Sequence, residues 1–235
     1  MKEGLYMAWF DSHAQDYDQW YQSKLGQFVD AVEKKLIEEI AKPAQGEKVL
    51  DIGSGTGLYS LWLAEKGLNV SAIDQSEEMM KIAKKKAEEA KLMIDWNLGD
   101  AESLPFAENT FDLVISITAI EFMDNPQSVL QEAVRVLKPS GRLVIGLLTK
   151  ESPWGDLYRK AAEENPNSVF AKAHLYKESE ISGLLKSPYL LKKGLYLPPT
   201  QEFDPDEAWD FEKEKQAAQA DSAGFFAVRW NKEND

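Results

Sequence analysis

Cysteine is absent from the 235-residue chain, which excludes disulfides, thiolate metal sites and thiol nucleophiles together. Histidine is scarce, with His13 and His174 the two in the chain, so little imidazole is available for acid–base chemistry. No apolar run is long enough to cross a bilayer. The opening stretch, MKEGLYMAWFD, carries too few apolar residues before Asp11 to form a secretory core, and the expected compartment is the cytoplasm. Positive charge is also short: 27 Lys and Arg against 40 Asp and Glu leave a net charge of −13. Such a surface repels phosphate backbones, so nucleic acid is not an expected partner. The densest basic run, Lys84 to Lys86, is followed by Glu88 and Glu89 one helical turn on, the pattern of a solvated helix face.

What is present is a rhythm of apolar runs and amphipathic stretches. Residues 12 to 41 read as two helices, the second carrying Phe28, Val32, Leu36, Ile37 and Ile40 at helical spacing, with Pro43 after its end. EKVLDIG, LNVSAID, LMIDWNLGD, FDLVISITAI and GRLVIGLL read as strands. Between them lie helices over GLYSLWLAEKG, after a Ser76 cap, and over PQSVLQEAVRVLK with Pro126 in the first turn. Unbroken apolar strands separated by helices imply a parallel sheet covered on both faces, and right-handed crossovers make it doubly wound. After residue 150 the rhythm breaks into short helices, then YLLKKGLYLPP and GFFAVRWNK as closing strands around an acidic helix starting near Pro205. The expected organisation is one domain over 1–235. It has a helical cover at 1–43, a core at 44–150, and a substrate-side insertion with closing strands at 151–235.

VLDIGSGTGLYS, residues 49–60, sets strand, glycine loop and helix in the order that leaves free N–H groups at a helix start. Its spacing is G-x-G-x-G rather than the G-x-G-x-x-G of nicotinamide- and flavin-binding loops. Asp51 precedes the loop, where it opposes a pyrophosphate and favours an ammonium or sulfonium. Asp74 ends the second strand, placed to accept from both hydroxyls of a ribose. Asp100 follows the third strand, placed to accept from an exocyclic amine. Strand ends that lie side by side bring the three carboxylates to one crevice. The ligand so described has a ribose, an amine-bearing base and a cationic tail. Plainer alternatives stand beside these readings: Asp51 as a turn cap, Asp74 as a helix cap, and Glu102 as a solvated loop acid.

VLDIGSGTG, AIDQSEEMM, GDAESLPFAENTFDLVIS and RVLKPSGRLVI, taken in order, resemble the motifs of the class I S-adenosylmethionine-dependent methyltransferases. The resemblance spans about residues 47–149, with a weaker likeness in AQDYDQWY, and is nearest to small-molecule enzymes of quinone biosynthesis. Ser140 departs from it, standing where the family commonly has glycine. The resemblance implies a Rossmann-like, mostly parallel seven-stranded sheet with an antiparallel last strand. It implies S-adenosylmethionine as cofactor and S-adenosylhomocysteine as product. It also implies roles at matching positions: Gly53, Gly55 and Gly57 around the methionine moiety, with Asp51 near its ammonium. Asp74 would hold the ribose, Gln75 would lie beside the adenine, and Asp100, Ala101 and Glu102 would stand at its edge. Ile117 would offer its backbone to the amino-acid end, and Tyr17 and Tyr21 would close over the cofactor. Tyr17, Trp20 and Tyr21 read equally as packing aromatics of the first helix.

Methyl transfer from a sulfonium is an in-line displacement whose driving force lies in the cofactor, so neither metal nor covalent nucleophile is required. A general base is needed only where the acceptor must lose a proton. The candidates are Glu121 and His13, with His174 a third; each reads alternatively as a structural or surface residue. Phe122, Trp154 and Tyr158 are candidate walls of an acceptor pocket or members of the core. The acidic balance favours a neutral or cationic small acceptor, handled by a monomer or homodimer. A protein that binds the cofactor without transferring its methyl group shares every one of these features. A nicotinamide oxidoreductase fits less well, because the loop spacing and Asp51 oppose it.

Overall fold

The structure, a computed structural model, describes residues 18–199 and 202–233. Residues 18–22 are helical and Ser23 breaks the helix before α1 (Lys24–Ala41), which it caps by accepting from the Gly26 N–H at 3.0 Å. α1 presents Phe28, Val32, Leu36, Ile37 and Ile40 to the core as one stripe. Each such side chain contributes roughly 1.5–3 kcal/mol on burial, so packing rather than helix propensity holds α1 on the sheet.

β1 (Lys48–Ile52), α2 (Leu58–Glu65), β2 (Asn69–Asp74), α3 (Glu77–Glu89) and β3 (Ile94–Leu98) follow as alternating units. Next come β4 (Phe111–Ile117), α4 (Pro126–Val136), β5 (Leu137–Leu148), α5 (Pro153–Glu164), β6 (Tyr189–Gly194), α6 (Pro205–Ala217) and β7 (Phe225–Asn231). Three helices start alike, with a polar cap and proline in the first turn: Asn125–Pro126, Ser152–Pro153 and Asp204–Pro205.

The seven strands lie in the order β3-β2-β1-β4-β5-β7-β6. All run parallel except β7, which is antiparallel to both β5 and β6, so the expected sheet with its antiparallel last strand is the one found. Alternation along the strands sorts the core into two layers. Leu50 and Ile52 pack with Val114 and Leu130, while Val49 packs with Leu113, Ile115, Tyr59 and Leu36. Asp51 therefore points to the α2 side. Strand order reverses between β1 and β4, which opens a crevice at their carboxyl ends.

Several segments differ from the sequence reading, among them the strand expected over YLLKKGLYLPP, which ends at Gly194 where Leu195 turns to φ 63°. β5 starts at Leu137 rather than Gly141, because Leu137 pairs with Phe111 before the register shifts to Leu113–Arg142. Ser140 sits in that irregular stretch at φ 62°, the left-handed region, which explains why glycine suits the position. β4 stops at Ile117 instead of running to Ile120, since Thr118 turns to φ 49° and a 3-10 turn takes over at Ile120–Phe122.

In the closing part of the chain, one buried carboxylate organises the backbone. Glu212 on α6 accepts from the N–H groups of Leu195 and Leu197, at 3.0 and 2.8 Å, and from that of Tyr196 between them. It is fully buried, and α6 is thereby tied to the segment leaving β6.

Candidate cofactor site

The crevice at the switch point is a cavity of about 310 Å³. Its floor is the glycine loop between β1 and α2. Gly53 and Ser54 donate to the Ile73 carbonyl at 2.9 and 3.2 Å, which seats the loop against β2. Gly53 has φ 72°, and a Cβ there would lie 2.5 Å from the Ala119 Cβ, so only glycine lets the loop meet the chain beyond β4. Gly55, at φ 53°, has no atom of the described residues outside its chain neighbours within 4 Å of where a Cβ would stand, leaving that face open to a ligand. Gly57 is not on the cavity wall; it starts α2, and its missing side chain makes room for Trp96 and Ala83.

Asp74 organises the loop as well as facing the cavity. One carboxylate oxygen accepts from the Gly55 N–H at 2.7 Å, the other from the Ser76 N–H at 2.8 Å. Ser76, not Asp74, caps α3, accepting from Met79 N–H at 3.1 Å. Asp51 is 2% exposed and accepts from the Ser60 hydroxyl at 2.6 Å. Burial pushes its carboxyl up to about 7, the Ser60 hydroxyl opposing and the charge of Asp74 adding to the rise. Asp100 folds its carboxylate onto the Glu102 N–H at 2.8 Å and remains exposed at the cavity mouth.

Tyr21, Asp51, Gly53, Gly55, Asp74, Gln75, Asp100, Ala101, Glu102 and Ile117, expected from the sequence around one ligand, all line this one cavity. His13 and Tyr17 lie outside the described residues. Of the far wall, which follows β4 at the strand end next to β1, Phe122 was expected, whereas Thr118, Ala119, Met123 and Asp124 were not. Their position at the carboxyl end of a switch-point strand was the available signal. Among the described residues, five carboxylates line the cavity, Asp51, Asp74, Asp100, Glu102 and Asp124, with no lysine, arginine or histidine. That wall suits a cationic or neutral ligand and opposes a pyrophosphate.

The candidate bases sit elsewhere. Glu121 is not on the cavity wall; it is 2% exposed, with Oε1 accepting from the Leu148 N–H at 2.5 Å. Burial pushes its carboxyl up to about 8. His174 hydrogen-bonds Glu180 at 2.9 Å on the surface, away from the cavity. Of the candidate aromatics, Phe122 lines the cavity, Tyr158 stacks on Phe170 at 4.5 Å, and Trp154 donates to the Leu197 carbonyl at 2.7 Å. At the other side, Asp18 joins the cover to the site, accepting from Thr56 at 2.6 Å and from Lys86 at 2.8 Å. Lys86 thus leaves the solvated face expected for its run, whereas Lys85 keeps a loose pairing with Glu89 at 3.9 Å.

Residues 50–145 match the family model described as a methyltransferase domain. An uncharacterized protein of Methanocaldococcus jannaschii is 32% identical over 179 residues, 75% of this chain and 78% of that protein. A ubiquinone/menaquinone biosynthesis C-methyltransferase of Roseobacter denitrificans is 35% identical over 148 residues, 61% of this chain and 59% of that enzyme. The chain thus matches little more than half the length of that quinone-biosynthesis relative. Among solved structures, a Thermotoga maritima SAM-dependent methyltransferase, named as a possible histamine N-methyltransferase, superposes with TM-score 0.73 at 22% identity. That match covers 95% of this chain and 98% of the other. The motifs, the sheet order and these matches converge, and the chain belongs to the class I S-adenosylmethionine-dependent methyltransferases.

Proposed function

We propose that this protein transfers the methyl group of S-adenosylmethionine to a small acceptor that is neutral or cationic, releasing S-adenosylhomocysteine. The observation that carries the reading is the cavity wall, with five carboxylates and no basic residue among the described residues. When bound, the cofactor supplies an electrophilic methyl group on a sulfonium, so the chain's own residues need only bind, orient and exclude water. Asp51, at the end of β1, faces the ammonium of the methionine end, and the open face of Gly55 lies under it. Asp74, already aligned by Gly55 and Ser76, accepts from the ribose hydroxyls, with Gln75 beside the adenine. Asp100, Ala101 and Glu102 take the adenine edge, and the Ile117 backbone faces the amino-acid end. Tyr21 closes from the cover.

An acid-lined site on a chain of net charge −13 disfavours nucleic acid and polyanionic acceptors. No helix among the described residues is long and apolar enough to cross a membrane. The enzyme works in the cytoplasm, as a monomer or homodimer, on a diffusible substrate. Calorimetry with S-adenosylmethionine, S-adenosylhomocysteine and NAD tests the cofactor, and tighter binding of NAD overturns the reading. A labelled-methyl screen against a metabolite extract tests transfer. Label in a neutral or cationic small molecule is expected; tight cofactor binding with no labelled product identifies a binding protein instead.

A further inference from the structure

Glu33 is a carboxylate where the helix calls for an apolar residue. It lies on the α1 stripe formed by Phe28, Val29, Val32, Leu36 and Ile37, and it is 3% exposed. Burying a carboxylate there is costly, and a leucine at the same position packs without that cost. Its hydrogen-bond partner is Tyr59, whose hydroxyl donates to Glu33 Oε2 at 3.0 Å. Tyr59 stands in the first turn of α2 behind the glycine loop, and it lines the cofactor cavity. It also packs in the same core layer as Ile117 and Trp154. A buried acid is thus connected to the cavity through one phenol.

We propose that Tyr59 takes the proton of the methyl acceptor, and that Glu33 is the positioning residue that orients the phenol and receives its proton in turn. The inference rests on the methyltransferase reading given above. In the transfer, the acceptor's X–H proton moves to the Tyr59 oxygen while the phenolic proton moves to Glu33 Oε2. The electron pair left on X forms the new bond to the methyl carbon, and the carbon–sulfur pair leaves with sulfur. Glu33 then returns its proton to solvent.

Glu33 must be ionised to accept. Burial pushes its carboxyl up to about 8, Tyr59 draws it down, Asp30 and Glu121 raise it further, and Lys34 opposes them. Those are the groups facing it from α2, from the turn after β4 and from α1 itself. Glu121 adds a second buried carboxylate here, with Oε2 lacking a partner among the described residues. The relay therefore strengthens as pH rises through the region of 8, and a cationic centre at the methyl position favours the ionised form.

The test uses sinefungin, an analogue that places a cationic amine where the transferred methyl group stands. Its affinity is compared with that of S-adenosylhomocysteine by calorimetry at pH 6.5 and 8.5. The wild-type protein is expected to prefer sinefungin by about tenfold at pH 8.5 and by much less at pH 6.5. Glu33→Gln and Tyr59→Phe are expected to flatten that preference at both pH values. Glu33→Leu, expected to fold with a raised melting temperature, shows that a lost preference does not come from unfolding. A sinefungin to S-adenosylhomocysteine ratio that keeps its wild-type value and pH dependence in the variants overturns the proposal. Failure of the wild type to bind either ligand overturns the cofactor reading on which it rests.

Discussion

The cofactor half of the sheet and the covering half use acidic side chains in opposite ways. Around β1, β2 and β3 the acids stand at strand ends. Asp74 and Asp100 hold nearby N–H groups while still presenting oxygen to the cavity. In the cover, the turn after β4 and the closing segments, Glu33, Glu121 and Glu212 are buried within 3% of complete exclusion from solvent, off the cavity wall, and hold chain to chain. The first arrangement leaves lone pairs for a ligand; in the second, Glu212 commits its oxygens to three backbone N–H groups. Asp74 should thus govern affinity, and Glu212 stability.

Glu212→Ala is the most severe way to break the second arrangement. It strands the Leu195, Tyr196 and Leu197 N–H groups in the interior, and the expected loss is about 3–5 kcal/mol in urea unfolding. The affinity of the surviving folded fraction for S-adenosylhomocysteine should stay near wild type.

Asp74→Ala tests the other side. Loss of the proposed ribose contacts and of the acceptor for Gly55 and Ser76 should weaken cofactor binding about 100-fold by calorimetry. The circular dichroism of the core should be retained, because the sheet does not depend on this side chain. Unchanged affinity would remove Asp74 from the ribose site.

Asp51 belongs to both classes, being buried yet on the cavity wall, and pH separates its two effects. With its carboxyl pushed up to about 7, the empty fold prefers it neutral while the cationic cofactor prefers it ionised. Raised pKa values at Asp51, Glu33 and Glu121 mean that the unfolded chain loses these protons first. Stability of the ligand-free protein should therefore fall as pH rises from about 4 to 8. Over pH 6 to 8, affinity for S-adenosylmethionine should rise about tenfold, and Asp51→Asn should flatten that rise.

The smallest effect concerns neither class. Ser140→Gly relieves a left-handed residue in the β5 irregularity, and about 0.5 kcal/mol of added stability is expected. Differential scanning calorimetry should show a rise of about 1–2 °C, with cofactor affinity unchanged.

The cofactor half was also the legible half. Apolar runs such as Val49–Ile52 and Phe111–Ile117 carry their burial in local sequence, and glycine spacing fixes the loop whatever packs on it. Asp51, Asp74 and Asp100 could be placed together because parallel strands put their carboxyl ends side by side. Contacts across long separations left no such mark. Glu33 and Glu212 read as ordinary helical acids until Tyr59 and the post-β6 backbone close on them. Asp18 meets Lys86 and Thr56 only through the fold. Gly57 carries a second demand that its motif position did not announce: its bare Cα packs against Ala83.

The double duty of Asp74 has an engineering consequence. One carboxylate fixes the shape of the glycine loop through Gly55 and the start of α3 through Ser76. With Asp74 as the proposed ribose acceptor, sugar preference and loop shape are not independent design variables in this scaffold. Accepting a cofactor analogue with an altered ribose requires a compensating acceptor for the Gly55 N–H, installed in the same design round as any change at Asp74.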